Sequence, residues 1–121
     1  MGSGPFLGGG FGHFYNYAPE KFEYPINRFT METKRQLDVL DKHLATNAYL
    51  AGDDYSIADI ANYSWIRSHK WARAPVDGLE HLQRWMSAMA EKPGIQRGCE
   101  VPPSPGKADL VKAGGAAIST Q

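Results

Sequence analysis

Few residues in this chain have the type and spacing to do chemistry, and most of those stand alone. His13, His43, His69 and His81 have no histidine four residues away and no cysteine pair beside them, so they lack the spacing of a zinc site. Cys99 is the single cysteine, which excludes an internal disulfide. Arg97 is its one nearby cation, a weak activator, and the thiol reads as incidental. The cluster Gly8-Gly9-Gly10-Phe11-Gly12 completes neither GxGxxG nor GxxxxGK(S/T), and no strand precedes it, so it reads as a packing or flexibility element ahead of a phosphate loop. There is no nucleophile elbow and no serine or cysteine with an evident base. One dense constellation remains. Phe11, Phe14, Tyr15, Tyr17, Phe22, Tyr24 and Phe29 crowd a short stretch that also carries polar handles at His13, Asn16, Tyr17 and Arg28. Aromatics at helical spacing usually form core; with polar handles they also line small-ligand clefts, and both readings stand.

The elements that must position these residues are helical. At 121 residues the chain supports one domain and one core. Between Ile26 and Glu91 there is a single proline, Pro75, as helices require. Ile26, Phe29, Thr33, Leu37, Leu40 and Leu44 recur at spacings of three and four and predict one buried stripe, with charges on the other face and an Asp38–Lys42 pair. After the turn residues Gly52, Asp53 and Asp54, Ser56 is the expected N-cap of a second helix. Asp59 returns a carboxylate to the Ser56 amide in a shortened capping box, and Tyr55 and Ile60 are spaced as a hydrophobic staple. The apolar run from Ile57 to Trp65 predicts a helix enclosed by others. A third helix, from Gly78 or Leu79 to Glu91, carries Leu79, Leu82, Trp85, Met86 and Met89 and stops at Lys92-Pro93-Gly94. No segment alternates as a strand does. The glycine-rich start reads as irregular, and the stretch after Gly98 as disordered, with at most a helical turn near Asp109 to Ala113. Thirteen basic and thirteen acidic residues give no general pull toward nucleic acid or an anionic membrane. No apolar run is long enough to span a bilayer and no leader is evident, so the expected address is cytoplasmic.

Two segments carry a resemblance. GFGHFYNYAPEKFEYPINRF and the residues following it to Leu44, then YLAGDDYSIADIA from Tyr49 to Ala61, closely resemble the C-terminal helical domain of glutathione S-transferases. The serine-led capping box is shared across that family and reports fold. HFYNYAPE and YPINRF point to the Nu-class, described as glutathione-dependent disulfide-bond oxidoreductases. The resemblance implies an all-α, C-terminal-like bundle over residues 1–98 with a truncated first helix, a tail over 99–121, and no N-terminal thioredoxin-like domain.

The resemblance further implies glutathione as co-substrate, held mainly by that other domain, no metal, and a homodimer in the full-length form. By position, Arg28 would contact a glutathione carboxylate, for which a guanidinium offers paired donors; its structural role would be an ion pair with Glu32. Phe11, His13, Phe14 and Tyr17 would line the co-substrate side of the cleft, and Ser56 and Asp59 are structural. The expected function is the helical co-substrate domain of a glutathione-dependent disulfide-bond oxidoreductase, taking a small-molecule or disulfide substrate, with this chain alone inactive. The alternative is a non-catalytic interaction module with the same fold. Phe6, Leu7, Phe11 and Phe14 are expected to lie uncovered and to promote association.

Overall fold

The computed structural model describes residues 2–103. Six helical segments follow one another: π1 (Gly4–Phe11), π2 (His13–Tyr17), α1 (Glu23–Leu44), α2 (Ile57–Ile66), α3 (Glu80–Ala90) and α4 (Pro93–Cys99). Among the described residues the only bridge pairing is the isolated Tyr49–Gly52 contact, so the expected all-α class holds. The disorder and the weak helical turn expected beyond residue 103 lie outside the described residues.

The glycine-rich start is helical; composition alone reads it as irregular or conditional, whereas the resemblance implies a helix there. Its turns are wide, with the Ala18 amide donating to the His13 carbonyl five residues back at 2.7 Å. Tertiary packing overrides the poor helix propensity of glycine, because the glycines are slots for rings. A Cβ on Gly4 or Gly8 would lie 2.9 or 2.4 Å from Trp65, and one on Gly12 would lie 2.3 Å from Trp71. Gly10 belongs to a second row. Phe6 and Phe14 flank it four residues away on either side, both with ring centroids 5.7 Å from Phe29, whose ring would be 2.1 Å from a Gly10 Cβ. A third row, Ser3, Leu7 and Phe11, is buried. Leu7 and Phe11 are therefore not the uncovered patch expected; together with Ala72, Tyr15 and Phe29 they form a small core of their own.

α1 begins two residues before Pro25, which stands in its first turn where its missing N–H costs nothing. Its buried residues are Thr33, Leu37 and Leu44, and on its outer face Lys42 Nζ donates to Asp38 Oδ2 at 2.6 Å. The main core joins Leu37 and Leu44 to Ile66, Ala74, Leu82, Trp85, Met89 and Ile95. Burying each large side chain of this group contributes about 1.5–3 kcal/mol. Arg84 clips α3 to the end of α1 by donating to the Leu44 carbonyl at 2.9 Å, and the Leu82 amide donates to Asp41 Oδ1 at 2.8 Å.

Two further expectations need correction. Lys92-Pro93-Gly94 ends α3 but also starts α4, because a proline at the first helical position is preorganised for a new turn; Cys99 is the last residue of that helix and is exposed. α2 is not enclosed. Ile66 and Asp59 are buried, yet Ile57 is 83% exposed, and Ile60 and Trp65 are each 45% exposed. The apolar run reports one face toward the core and one left open.

Candidate functional site

Ser56 and Asp59 fix the start of α2. The Asp59 carboxylate accepts from the Ser56 amide at 2.9 Å, and Ser56 Oγ accepts from the first-turn amides, that of Ala58 at 3.2 Å and that of Asp59, so the expected capping box is formed. Asp59 does more than cap. Its Oδ1 also accepts from the Leu50 amide at 3.0 Å and from the Trp85 indole at 2.8 Å, so one buried carboxylate ties the preceding loop, α2 and α3 together. Burial pushes its pKa up, but the hydrogen bonds from Leu50, Trp85 and Ser56 outweigh that and hold it below the usual aspartate value.

With α2 so anchored, Trp65 on its open face stands against π1. Ser3 Oγ lies 3.1 Å from Asn62 Oδ1, and Asn62 Nδ2 donates to the Ala58 carbonyl at 2.9 Å, which pins the start of π1 to the same helix. Trp65 divides two cavities. One, of about 450 Å³, is lined by Leu7, Gly8, Gly9, Tyr17, Trp65, Ser68 and Trp71. The other, of about 340 Å³, is lined by Ser3, Gly4, Pro5, Gly9, Ala61, Asn62 and Trp65. Both have the size of a small-ligand pocket, and the first has the largely apolar wall with few polar groups that such pockets use. Among the described residues no cluster of three or more histidine, cysteine, aspartate or glutamate side chains could hold a metal ion.

The residues singled out from sequence are spread across this region. Tyr17 lines the larger cavity, half exposed, with its ring 6.4 Å from Trp71. Phe11 is buried and stacks on Tyr15 at 5.1 Å, so it backs the wall without facing the opening. Phe14 packs on Phe29, and exposed His13 stands edge-on to Phe14 at 5.1 Å. Arg28 lies on the outer part of α1, with 57% of its side chain exposed and its guanidinium 3.8 Å from Glu32. That carboxylate is held more closely by Arg35, at 2.7 and 2.9 Å, and by Gln36 at 3.1 Å; the Arg35 hydrogen bonds first, and that of Gln36 next, lower its pKa to about 2. Arg28 is the loosest member of the group, and an exposed, solvent-screened pair of this kind is weak. Arg28 is not among the residues that line the cavity to which Tyr17 contributes.

Trp65 and Trp71 were missed by sequence reasoning. Their signal was the four-residue spacing of Gly4, Gly8 and Gly12, which marks where bulky partners approach a helix without saying which partners they are.

Comparison with known proteins agrees with this architecture. The family model for the glutathione S-transferase C-terminal domain matches residues 26–93. An uncharacterized GST-like protein of Streptococcus mutans is 52% identical over 84% of this chain and 41% of its own length. The disulfide-bond oxidoreductase YghU of Escherichia coli is 50% identical over 81% of this chain and 36% of its own. Among solved structures, a YghU glutathione transferase from Streptococcus pneumoniae, complexed with glutathione, superposes with a TM-score of 0.73 at 52% identity, covering 85% of this chain and 42% of that one. The chain thus spans less than half the length of the relatives it matches.

Proposed function

The chain belongs to the glutathione S-transferase family through its C-terminal helical domain, and from that premise we propose that it is the co-substrate half of a glutathione-dependent disulfide-bond oxidoreductase. In this reading a thioredoxin-like half grips glutathione, and the present helices hold the disulfide substrate above its thiolate. The observation that carries it is the pair of cavities flanking Trp65, which open beside the uncovered apolar face of α2. Tyr17, Trp65 and Trp71 would contact the apolar part of the substrate, with Phe11 and Phe14 behind them, His13 at the rim, and Arg28 reaching a glutathione carboxylate.

The chemistry is thiol–disulfide exchange. The glutathione thiolate attacks one sulfur of the substrate disulfide, forming a mixed disulfide and expelling the other sulfur as a thiolate. A second glutathione thiolate then attacks the mixed disulfide, releasing glutathione disulfide and the remaining substrate thiolate. Cys99 has no part in either step. Full-length homodimerisation and a cytoplasmic address belong to the same proposal.

The test is a chimera that joins the N-terminal half of the Streptococcus pneumoniae transferase to this chain. The chimera is expected to reduce hydroxyethyl disulfide with glutathione, and the 121-residue chain to be silent. Turnover by the chain alone at the rate of the chimera would overturn the reading. An inactive but folded and glutathione-binding chimera would favour the non-catalytic interaction module.

A further inference from the structure

A third cavity shares no lining residue with those beside Trp65. It is larger than either of those, about 730 Å³, and lies between the connection after α2 and the middle of α3, lined by residues of 69–77 and by Gln83, Met86 and Ser87. We propose that it binds a small organic monocarboxylate with an apolar body.

The charge comes from Lys70 and Arg73, with Asp77 as the one acid on the wall. Among the described residues the paired cations are Arg28, Arg35 and Lys42; no carboxylate lies within ion-pair distance of Lys70 or Arg73. Arg73 is held in place. Its guanidinium lies 4.5 Å from the centre of the Tyr15 ring, which is itself stacked on buried Phe11, so the cation ends a column of rings. The connection that carries it is closed by reciprocal bonds. His69 Nδ1 donates to the Ala74 carbonyl at 3.1 Å, and the Ala74 amide donates to the His69 carbonyl at 2.9 Å. The far side is braced by Gln83 Nε2, which donates to the Val76 carbonyl at 2.6 Å. Within this loop Arg73 has a φ of 49°, in the left-handed region that residues other than glycine rarely adopt. A backbone constrained in this way, at the residue that carries the charge of the cavity, is the kind of outlier from which a binding role is inferred.

The ligand class follows from the wall. A guanidinium presents paired donors to a planar carboxylate, and a lysine adds a point charge. Asp77 opposes a second negative charge on the ligand. Ala74, Pro75, Val76 and Met86 offer apolar contact to the rest of it. The site is a shallow depression largely open to solvent, so the ligand would be held chiefly by its carboxylate and one apolar face.

The probe is phenylbutyrate, titrated into the isotopically labelled 121-residue chain and followed by amide shifts in NMR, with uncharged phenylbutyramide in parallel. The acid is expected to move the amides of 69–77 and 83–87 saturably and to bind about tenfold more tightly than the amide. Arg73→Gly removes the guanidinium and suits the left-handed backbone, so it should keep or raise Tm while weakening the acid about tenfold. Lys70→Gln should weaken it with the fold intact. Equal affinity for acid and amide, shifts centred on Trp65, no saturable shift at millimolar acid, or undiminished binding by a folded Arg73→Gly chain would each overturn the proposal.

Discussion

Asp59 shows how much one side chain can organise. Four donors converge on its two oxygens: the amides of Leu50 and Ser56, the Ser56 hydroxyl and the Trp85 indole. Asp59→Ala would leave buried donors without partners, each worth about 1–3 kcal/mol, so chemical denaturation should show a loss of about 3 kcal/mol or more. The pH dependence has a definite sign. A carboxyl whose folded pKa lies below its unfolded value stabilises the fold fully above the unfolded value, near 3.9, and loses that contribution as pH falls through the folded one. Melting temperature should therefore drop as pH is lowered from about 4, and the drop should be shallower in Asp59→Asn. Thr33 is the opposite case: its buried hydroxyl has no hydrogen-bond partner, so Thr33→Val should be neutral or stabilising by up to about 1 kcal/mol in the same measurement. Ser56 and Asp59 were legible because a capping box is local. The bond to Trp85 spans 26 residues and has no local signature. Nor does Thr33, which the helical stripe places inside without saying that its hydroxyl will be left alone.

At the scale of elements, the glycines of π1 separate two kinds of position. Gly10→Ala would drive a methyl group into the Phe29 ring and should cost about 1–3 kcal/mol by overpacking, added to any shift of Phe6 and Phe14. Gly9 meets nothing within 4 Å, and Gly9→Ala should stabilise the segment by about 0.5–1 kcal/mol through helix propensity. Equal effects at the two positions, read by thermal melts, would contradict the ring-slot account. α1 and α3 were readable from the spacing of Leu37 and Trp85 with their neighbours, since core stripes repeat within one helix, and α2 from the local capping box of Ser56 and Asp59. π1 was not, because its stability comes from Phe29, Trp65 and Trp71, which lie in other parts of the chain. α4 was hidden because Pro93 signals both the end of one helix and the first turn of another.

At the scale of the whole molecule, the exposed apolar side chains among the described residues include Tyr24, Met31 and Val39 along α1 and Ile57, Ile60 and Trp65 along α2. Exposed patches of this kind drive association, so sedimentation velocity should show self-association that rises with concentration and is reduced in Met31→Glu or Ile57→Glu. The expectation of association thus rests on different residues from those first considered, because Leu7 and Phe11 are sealed by packing that no short window of sequence displays. The fold class was legible throughout from periodicity, and the family from two short strings. How cavity walls assemble from π1, α2 and the loop after it depended on contacts between distant segments. The central claim is that these helices complete a glutathione site gripped by another domain. Calorimetric titration of glutathione tests it most directly, using the 121-residue chain, the chimera with a thioredoxin-like half, and the Arg28→Ala chimera. No binding heat is expected from the chain alone, with saturable binding by the chimera and a loss of about 10- to 100-fold in Arg28→Ala, the loss expected for one charged hydrogen-bonded contact. Binding by the isolated chain as tight as by the chimera, or an Arg28→Ala chimera that binds unchanged, would contradict that claim.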